Sequence, residues 1–197
     1  GAQRIENIST TSSPAVPRYH VTHRVLNTKD HGIPQSRPRW FCVGIARTLV
    51  NDASLFASPD NLSCPSLDSF LEPGVPPTPE AEIGKTAFLN VQATLKKIRE
   101  ASVDPLKHTC VINLDASSKR VSWMRGQMQC FSRCQYRGHW LTTQQRRTTL
   151  DEMLALQGMD PKTLIVPVSP MELGRQIGNA MSVNVIERIL RSLLIFT

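Results

Sequence analysis

The stretch LNTKDHGIPQSRPRWFCVGI, residues 26–45, joins two strand-like segments through a turn, with polar side chains at regular spacing between them. Gly32 and Pro34 mark the turn, because glycine reaches backbone angles that other residues avoid, while proline fixes φ and lacks an N–H. The run WFCVGI, residues 40–45, is short, apolar and rich in strand formers. It therefore predicts a buried strand after the turn.

Gln35, Arg37 and Arg39 occupy alternate positions just ahead of that predicted strand. Since alternate residues of an extended chain share a face, we expect the three side chains to point the same way. Two guanidinium forks beside an amide form a receptor for a phosphate or for the edge of a base. A charged edge ahead of a core strand would give the same pattern, so this motif alone leaves both interpretations open.

The composition is that of a folded chain with a basic surface. Its 197 residues are 40% hydrophobic and 20% charged, which fits one large globular domain or two small ones. The net charge of +7 favours a polyanionic partner such as nucleic acid. No apolar run approaches the roughly 20 residues that cross a bilayer, and five scattered cysteines indicate reduced thiols. We therefore expect a soluble, intracellular protein.

Hydrophobic periodicity outside the opening stretch predicts a mixture of strands and helices. An irregular segment over residues 1–17 leads into a strand over residues 19–28, and a Pro- and Ser-rich connector over residues 46–79 contains one short helical piece, SLDSFL. A further strand is predicted over residues 109–114. An amphipathic helix within residues 83–103 has one apolar face, which is formed by Phe88, Val91, Leu95 and Ile98.

Residues 119–147 contain seven basic residues and no Asp or Glu. Basic groups without acidic ones, interleaved with aromatic side chains that can stack on bases, favour contact with nucleic acid. A solvated basic face is the alternative interpretation. The residues expected to contact phosphates are Arg125, Arg133 and Arg137, and the interleaved aromatic residues are Trp123, Phe131, Tyr136 and Trp140.

No metal site is predicted. His20 and His23 lie three positions apart in a predicted strand, so they face opposite sides of it. Cys130 and Cys134 have the spacing of half a zinc site, but no second pair of ligands accompanies them. We interpret both cysteines as small, partly buried side chains.

The C-terminal part carries the clearest helix signals. Thr149 and Glu152 form a T-x-x-E capping box ahead of an apolar run, and Gly158 is a C-terminal stop. A second capping box, SPME at residues 169–172, starts a helix that we expect to end at Gly178. The last helix is predicted over residues 182–196, with an apolar face formed by Ile186, Ile189, Leu190 and Leu193.

Three blocks of this sequence resemble ordered signature blocks of the DNA cytosine-C5 methyltransferases. The first is residues 26–45, in which GIPQSRPR matches the GxPQxRxR of that family. The second is TLDEMLALQGMDP, residues 149–161, and the third is RQIGNAMSVNV, residues 175–185, which is similar to the final QIGN block. The blocks occur in the family's order, with room for a target-recognition domain between the first and the second.

The resemblance implies an α/β fold: the C-terminal part of a Rossmann-like, S-adenosylmethionine-dependent methyltransferase domain, with a small mixed target-recognition domain inserted. On this basis residues 1–48 end the catalytic domain, residues 49–147 form the target-recognition domain, and residues 148–197 return to the catalytic domain. Double-stranded DNA is the implied partner. The implied location is inside the cell with the DNA, which means the nucleus of a eukaryote.

The resemblance also implies roles for individual residues. In the family, a cysteine thiolate adds to C6 of a cytosine flipped out of the duplex, and C5 then takes the methyl group of S-adenosylmethionine. Arg39 would hold the carbonyl oxygen of the flipped cytosine, while Arg37 and Gln35 order the same wall. Asn179 and Ala180 would lie beside the methionine end of the cofactor. The expected DNA-binding residues are Arg125, Arg133, Arg137, Thr149 and Gln157.

The chain departs from the family pattern in what it lacks. The family's nucleophile follows a proline in a PCQ block, and none of the five cysteines here does so. The Gly-rich cofactor loop and the Glu-Asn-Val block are absent too, and in the family both precede the opening stretch. We therefore expect a C-terminal portion that needs the missing N-terminal catalytic part for activity. A non-catalytic DNA-binding or regulatory module derived from such an enzyme is the alternative.

Overall fold

The computed structural model describes residues 18–49 and 56–194. The irregular segment predicted over residues 1–17, a part of the connector and the end of the predicted last helix lie outside the described residues. Within the described ranges, every helix is too short or too polar to cross a membrane.

Strands and helices follow one another in runs along the described chain: three strands, two helices, five strands and three helices. The strands are β1 (Tyr19–Asn27), β2 (Gln35–Ser36), β3 (Pro38–Ala46), β4 (Cys110–Ile112), β5 (Trp123–Arg125), β6 (Met128–Gln129), β7 (Trp140–Leu141) and β8 (Arg146–Arg147). The helices are α1 (Glu80–Ile83), α2 (Lys85–Glu100), α3 (Leu150–Ala155), α4 (Pro170–Asn179) and α5 (Val183–Leu193). Short 3-10 turns lie at Thr28–Asp30, Leu67–Phe70, Arg133–Gln135 and Pro161–Thr163.

Strands β1 and β3 form a two-stranded antiparallel sheet, the β1–β3 ribbon, which runs from the pair Tyr19–Ala46 to the pair Asn27–Pro38. Both predicted strands are therefore confirmed. The prediction that residues 40–45 are buried is wrong for one face, because Trp40 is 60% exposed and Cys42 is exposed. Only the opposite face, which includes Ile45, turns inward, since the described chain supplies a covering layer on that side alone.

A four-stranded antiparallel sheet, in the order β5-β4-β7-β8, is packed against α2. The predicted amphipathic helix is confirmed, because Val91 and Ile98 are buried and its other apolar residues pack beside them. The strand predicted over residues 109–114 is confirmed as β4, which is fully buried. The shared core of helix and sheet consists of Ile83, Val91, Ile98, Cys110, Ile112, Leu114 and Trp140.

A second core connects segments that are distant in sequence. Strand β2 pairs in parallel with β6, which brings Gln35 opposite Met128. The core beside this pair includes residues from the opening stretch, from the middle of the chain and from the C-terminal helices. Its members are Ile33, Leu67, Val111, Met128, Phe131, Leu141, Met153, Leu154, Leu156 and Ile177. The three segments predicted as domain parts thus share one core, and the boundaries between them stay a prediction.

The C-terminal helices begin where their caps predict. The Thr149 and Glu152 side chains cap α3 reciprocally, and Gly158 follows the helix with a φ of +78°. At α4 only half of the predicted capping box forms: Ser169 Oγ accepts the Glu172 N–H. Helix α4 runs one residue further than predicted, to Asn179.

The last helix, α5, is less completely covered than its periodicity predicts. Ile189 is buried, whereas Leu190, which was predicted on the same apolar face, is 51% exposed. The reason is that Leu190 borders a shallow apolar groove that no other described element fills.

Candidate functional site

Arg37 is 1% exposed and bridges three parts of the chain. Its Nη1 donates to the carbonyl of Phe131 at 2.7 Å, and its Nη2 donates to the carbonyls of Gly178 at 3.0 Å and Ala180 at 2.5 Å. Its backbone N–H donates to Asn27 Oδ1 at 2.8 Å. Burial lowers the pKa of Arg37, but a guanidinium stays charged at neutral pH. Arg37 therefore holds the opening stretch, the middle of the chain and the end of α4 together.

Gln35 belongs to a second buried link between the same regions. Gln157 Nε2 donates to Gln35 Oε1 at 3.2 Å, although the two residues are 122 positions apart. Ser182 Oγ donates to Gln157 Oε1 at 3.3 Å and shares a 2.6 Å hydrogen bond with Thr28 Oγ1. All four side chains are buried. The three blocks singled out in the sequence thus converge on one buried polar network.

Two of the residues that we expect to contact DNA form hydrogen bonds within the protein. Gln157 is 0% exposed, and its side chain serves the network just described. Thr149 Oγ1 donates to Glu72 Oε2 at 2.6 Å while it caps α3. Their contact with DNA stays a prediction, and for Gln157 it would require the network to open.

Arg39 reaches towards the surface beside the buried Arg37. Arg39 Nη2 and Arg37 Nη1 both donate to the sulfur of Cys130, at 3.3 Å and 3.2 Å. The predicted common side of these two arginines is therefore confirmed. Arg39 Nη1 also donates to the adjacent carbonyl of Pro38 at 2.9 Å. Arg39 remains half-buried, so its guanidinium is held in place and is still accessible from solvent.

Asn179 and Ala180 lie at the C-terminal end of α4, next to the Arg37 guanidinium. The Asn179 side chain is exposed, and the Ala180 carbonyl accepts from Arg37. An apolar groove of about 420 Å³ opens beside Ala180. Its lining is formed by Leu154, Met159, Leu164, Ile165, Val166, Pro167, Val168, Leu173, Gln176 and Ile177.

Two glycines allow α4 to lie directly against the backbone of residues 132–136. A Cβ built on Gly178 would lie 2.6 Å from the Arg133 backbone nitrogen, and one on Gly174 would lie 2.9 Å from the Tyr136 carbonyl carbon. Any other residue at either position would clash with backbone. Sequence reasoning treated Gly178 as a helix stop and missed this role. The four-residue spacing of the two glycines was the available signal, since it places both on one face of a helix.

The three arginines expected to meet phosphates are all accessible. Arg125, Arg133 and Arg137 are exposed. The Tyr136 ring lies 5.7 Å from the Arg137 guanidinium carbon and 5.5 Å from that of Arg175. Arg175 comes from α4, outside the basic stretch, so sequence reasoning did not include it in this surface.

Arg146 and Arg147, the last two basic residues of the stretch over residues 119–147, are paired with carboxylates. Arg146 is buried in an ion pair with Glu152, with a shortest N–O distance of 2.6 Å. Arg147 makes a bidentate pair with Asp115, at 2.6 Å and 2.7 Å. The interpretation of the aromatic residues as stacking groups is wrong for Phe131 and Trp140, because both are buried in the hydrophobic cores. The signals for core and for base stacking look alike in sequence, since both use large aromatic side chains.

His139 is a fully buried histidine beneath this surface. Its ring stacks on Phe131 with centroids 5.2 Å apart, and both ring nitrogens are buried, with the Cys130 backbone nearby. Burial lowers the pKa of His139 to about 4. The ring is therefore neutral at physiological pH and acts as an apolar filler of the core.

Acid should destabilise the protein through His139. Its pKa is about 4 in the folded chain and about 6.5 when unfolded, so the unfolded state binds more protons between these values. Stability is then complete above pH 6.5 and falls as the pH drops towards 4, by about 3 kcal/mol. The free energy of unfolding, measured with urea at pH 7 and at pH 4.5, should fall less between these pH values in His139→Leu than in the wild type. His108→Gln, at an exposed histidine, is the control, and equal losses in all three proteins would refute the assignment.

The described residues contain no group of three or more His, Cys, Asp or Glu side chains that could hold a metal ion. His23 lies against Trp40 instead, with ring centroids 5.8 Å apart.

Comparisons with known proteins give a consistent family. The sequence profile described as C-5 cytosine-specific DNA methylase matches residues 15–194. Similar solved structures include the Entamoeba histolytica methyltransferase EhMeth, with 14% identity and a TM-score of 0.56, and the S. pombe Dnmt2 methyltransferase, with 17% identity and a TM-score of 0.50. A Spodoptera frugiperda DNMT2 mutant has 16% identity and a TM-score of 0.50. No curated protein matches the chain.

The chain matches only part of the length of each similar structure. Each structure covers 90% of this chain, but the chain spans only 54% of EhMeth and 58% of the two Dnmt2 proteins. At such low identity the similarity shows the fold alone, and together with the mixed sheet and helix content it supports an α/β methyltransferase fold. The match of the family profile over residues 15–194 shows that the chain belongs to the C-5 cytosine-specific DNA methylase family.

Proposed function

We propose that this chain is the C-terminal portion of a DNA (cytosine-5-)-methyltransferase, and that it supplies the base-holding wall and part of the DNA-binding surface. The observation that carries the proposal is the convergence of its three family-like blocks. Gln35, Gln157 and Ser182 come from different blocks and share one buried hydrogen-bond network. Such a network fixes the position of Arg37 and Arg39 relative to α4, which an active-site wall requires.

Arg39 is the residue that we propose holds the flipped cytosine. Its guanidinium is fixed by Cys130 and by the Pro38 carbonyl and is half-exposed. A permanently charged planar donor suits a ring carbonyl that gains negative charge during attack on the base. Arg37 acts behind it, because it is buried and both of its Nη atoms donate to protein carbonyls. Gln35 is buried as well and supports the same wall.

S-adenosylmethionine is the proposed methyl donor, and when bound it supplies an electrophilic methyl group. The described residues fit one wall of its site. Asn179 presents an exposed amide at the end of α4, which could hydrogen-bond the charged methionine end of the cofactor, and Ala180 lies next to it at the border of an apolar groove. These residues offer no acidic group for the ribose hydroxyls. The remainder of the pocket would therefore come from the missing N-terminal catalytic part.

Double-stranded DNA is the proposed partner, within the cell and in the nucleus if the source is eukaryotic. The proposed contact surface combines Arg125, Arg133 and Arg137 with Arg175, which flanks Tyr136. Arg146 and Arg147 do not belong to it, because their short pairs with Glu152 and Asp115 leave them 2% and 15% exposed, whereas Arg175, in a looser 3.6 Å pair with Glu172, is 35% exposed. An exposed basic surface needs no catalytic group, so it equally favours the second candidate, a non-catalytic DNA-binding or regulatory module.

Salt dependence of DNA binding tests the surface directly in this chain. Replacing Arg125, Arg133 and Arg137 by Gln should flatten the plot of log affinity against log salt, by about 0.9 for each phosphate that is no longer neutralised. Fluorescence anisotropy with a duplex at several salt concentrations measures both slopes. The matched control changes Lys96, Lys97 and Arg99, which lie exposed on α2, to Gln with the same loss of charge. If the control flattens the salt slope equally, the three arginines act through the net charge of the protein and do not form a defined contact surface.

A further inference from the structure

A Pro-rich segment, residues 73–79, is weakly attached to the rest of the described chain. It is irregular, and one backbone hydrogen bond ties residues 73–78 to another described segment: the Thr78 N–H donates to the Gln145 carbonyl at 3.0 Å. Gly74 and Gly84 flank the segment with φ values of +75° and +84°, and both are surrounded by open space. A segment with so few contacts opens locally at low cost.

Thr78 is followed directly by Pro79, which is the arrangement that proline-directed protein kinases recognise. Pro79 is extended, with φ −56° and ψ 141°, and Pro76 and Pro77 restrict the backbone ahead of Thr78 in the same way. All three prolines are exposed, and Thr78 is half-buried. A kinase must bring the target hydroxyl to its catalytic Asp and to the γ-phosphate of its nucleotide. An extended, weakly attached segment permits this.

Thr78 borders a surface cavity of about 480 Å³ that contains guanidinium groups. The polar lining of the cavity is formed by Thr78, Glu82, Tyr136, Arg137, Arg147 and Thr148. Arg147 is committed to Asp115, whereas Arg137 is exposed, lies 5.7 Å from the Tyr136 ring and forms no ion pair with any described residue. Glu82 would repel a phosphate, but its exposed side chain is able to turn to solvent. Arg137 is therefore the cation in this cavity that is available to an anion on Thr78.

We propose that Thr78 is a phosphorylation site, and that its phosphate binds Arg137 across this cavity and draws Arg137 away from DNA. A proline-directed protein kinase would transfer the γ-phosphoryl group of ATP: a P–O bond forms at Thr78 Oγ1, the bond to the β-phosphate oxygen breaks, ADP leaves, and the hydroxyl proton passes to the catalytic Asp of the kinase. The phosphate carries a charge of about −1.5 to −2 and pairs with a guanidinium in bidentate geometry. The effect on DNA rests on the proposed function, because Arg137 belongs to the proposed DNA surface.

Phosphorus-31 NMR tests the phosphate site without DNA. Phosphothreonine is introduced at position 78 of the whole chain during translation, and its second pKa is read from the chemical shift as the pH is varied. A paired guanidinium favours the dianion, so this pKa should fall from about 6 in the urea-unfolded chain to about 5–5.5 in the folded chain. Arg137→Gln should abolish the difference. Arg125→Gln, at an exposed position outside the cavity lining, should keep it.

The NMR result decides the site in either direction. Equal pKa values in the folded and unfolded phosphoprotein would overturn the proposal, and so would a difference that survives Arg137→Gln.

DNA binding by the same phosphoprotein tests the regulation. Phosphate on Thr78 should weaken duplex binding about tenfold at roughly 0.1 M salt and reduce the salt slope by about 0.9, since one DNA phosphate fewer is neutralised. In Arg137→Gln the modification should reduce the slope no further, whereas in Arg125→Gln it should. A full effect in Arg137→Gln would refute the regulation. If the unmodified chain binds no DNA, the proposed function fails together with the regulation, and the NMR result still decides the phosphate site.

Access of a kinase to Thr78 is tested on the unmodified chain with a proline-directed protein kinase and ATP, followed by mass spectrometry. Thr78 should be modified, and Thr78→Val should lose that phosphate. Ser169 is the matched control, because it also precedes a proline but its Oγ accepts the Glu172 N–H at the start of α4. It should stay unmodified. Absence of phosphate from Thr78, or modification of Ser169 in its place, would overturn the assignment.

Discussion

Arg37→Lys should lower the free energy of unfolding by about 3–5 kcal/mol although the charge is kept. The guanidinium satisfies the carbonyls of Phe131, Gly178 and Ala180 from opposite directions. An ammonium is a compact donor on a flexible stem and cannot reproduce that fork. Each buried carbonyl left without a donor costs about 1–3 kcal/mol. For a chain of this size the melting temperature should fall by on the order of 10 °C.

Arg39→Lys is the matched control for this change. Arg39 is half-exposed, and its protein partners are a sulfur and the carbonyl of its own neighbour Pro38. Removal of these hydrogen bonds should shift the free energy of unfolding by less than about 1 kcal/mol. Urea unfolding of the three proteins gives the comparison. Equal losses of unfolding free energy for Arg37→Lys and Arg39→Lys would show that the hydrogen bonds of Arg37 do not hold the three segments together.

The same pair of variants tests the proposed function in a chimera that joins this chain to the N-terminal part of a member of its family. Arg39→Lys should then reduce turnover per folded molecule about tenfold to a hundredfold, since a charge-assisted hydrogen bond is worth roughly 1.5–3 kcal/mol. Arg47→Lys, at an exposed position past the ribbon, should leave turnover unchanged. A normal rate for Arg39→Lys would end the proposal that this residue holds the base.

Local signals in the sequence were sufficient for much of the fold. The capping box at Thr149 and Glu152 predicted the start of α3 correctly, because both hydrogen bonds lie within one helical turn. The apolar stripe of α2 likewise predicted which side is buried, with Ile98 at its centre. Alternation in the opening stretch placed Arg37 and Arg39 on one side, where both reach Cys130.

The failures share a different physical cause. Burial of a strand face depends on what packs against it, and the apolar run around Trp40 does not report which of its two faces has a covering layer. The buried hydrogen bonds of Gln157, whose contact with DNA stays a prediction, depend on Gln35 and Ser182, which are distant in sequence. Arg146 counts among the basic residues of the stretch over residues 119–147, but its partner Glu152 lies outside that stretch, in the following helix. Each of these contacts is made by tertiary structure, which single-sequence periodicity does not report.

Gly178→Ala should destabilise the chain, against the usual trend for such a substitution in a helix. Alanine is favoured over glycine in a helix interior by about 1 kcal/mol. Here the new Cβ would lie 2.6 Å from both the Ser132 carbonyl oxygen and the Arg133 nitrogen, and backbone cannot move aside as a side chain can. Helix α4 must then shift away from residues 132–136, which also stretches the bond from Arg37 to the Gly178 carbonyl.

The expected net loss for Gly178→Ala is about 2–3 kcal/mol, because overpacking and the weakened Arg37 bond outweigh the helical gain. Thermal and urea unfolding measure it. Gln176→Ala, an exposed change on the same helix, should be neutral or slightly stabilising, since it alters propensity without a clash. Gly44→Ala is the second control, because its Cβ would meet Tyr19 at an ordinary 3.9 Å. If Gly178→Ala melts at or above the wild-type temperature, α4 does not lie against residues 132–136 as closely as described. The link from Arg37 through α4 to the base-holding wall would then have to be abandoned.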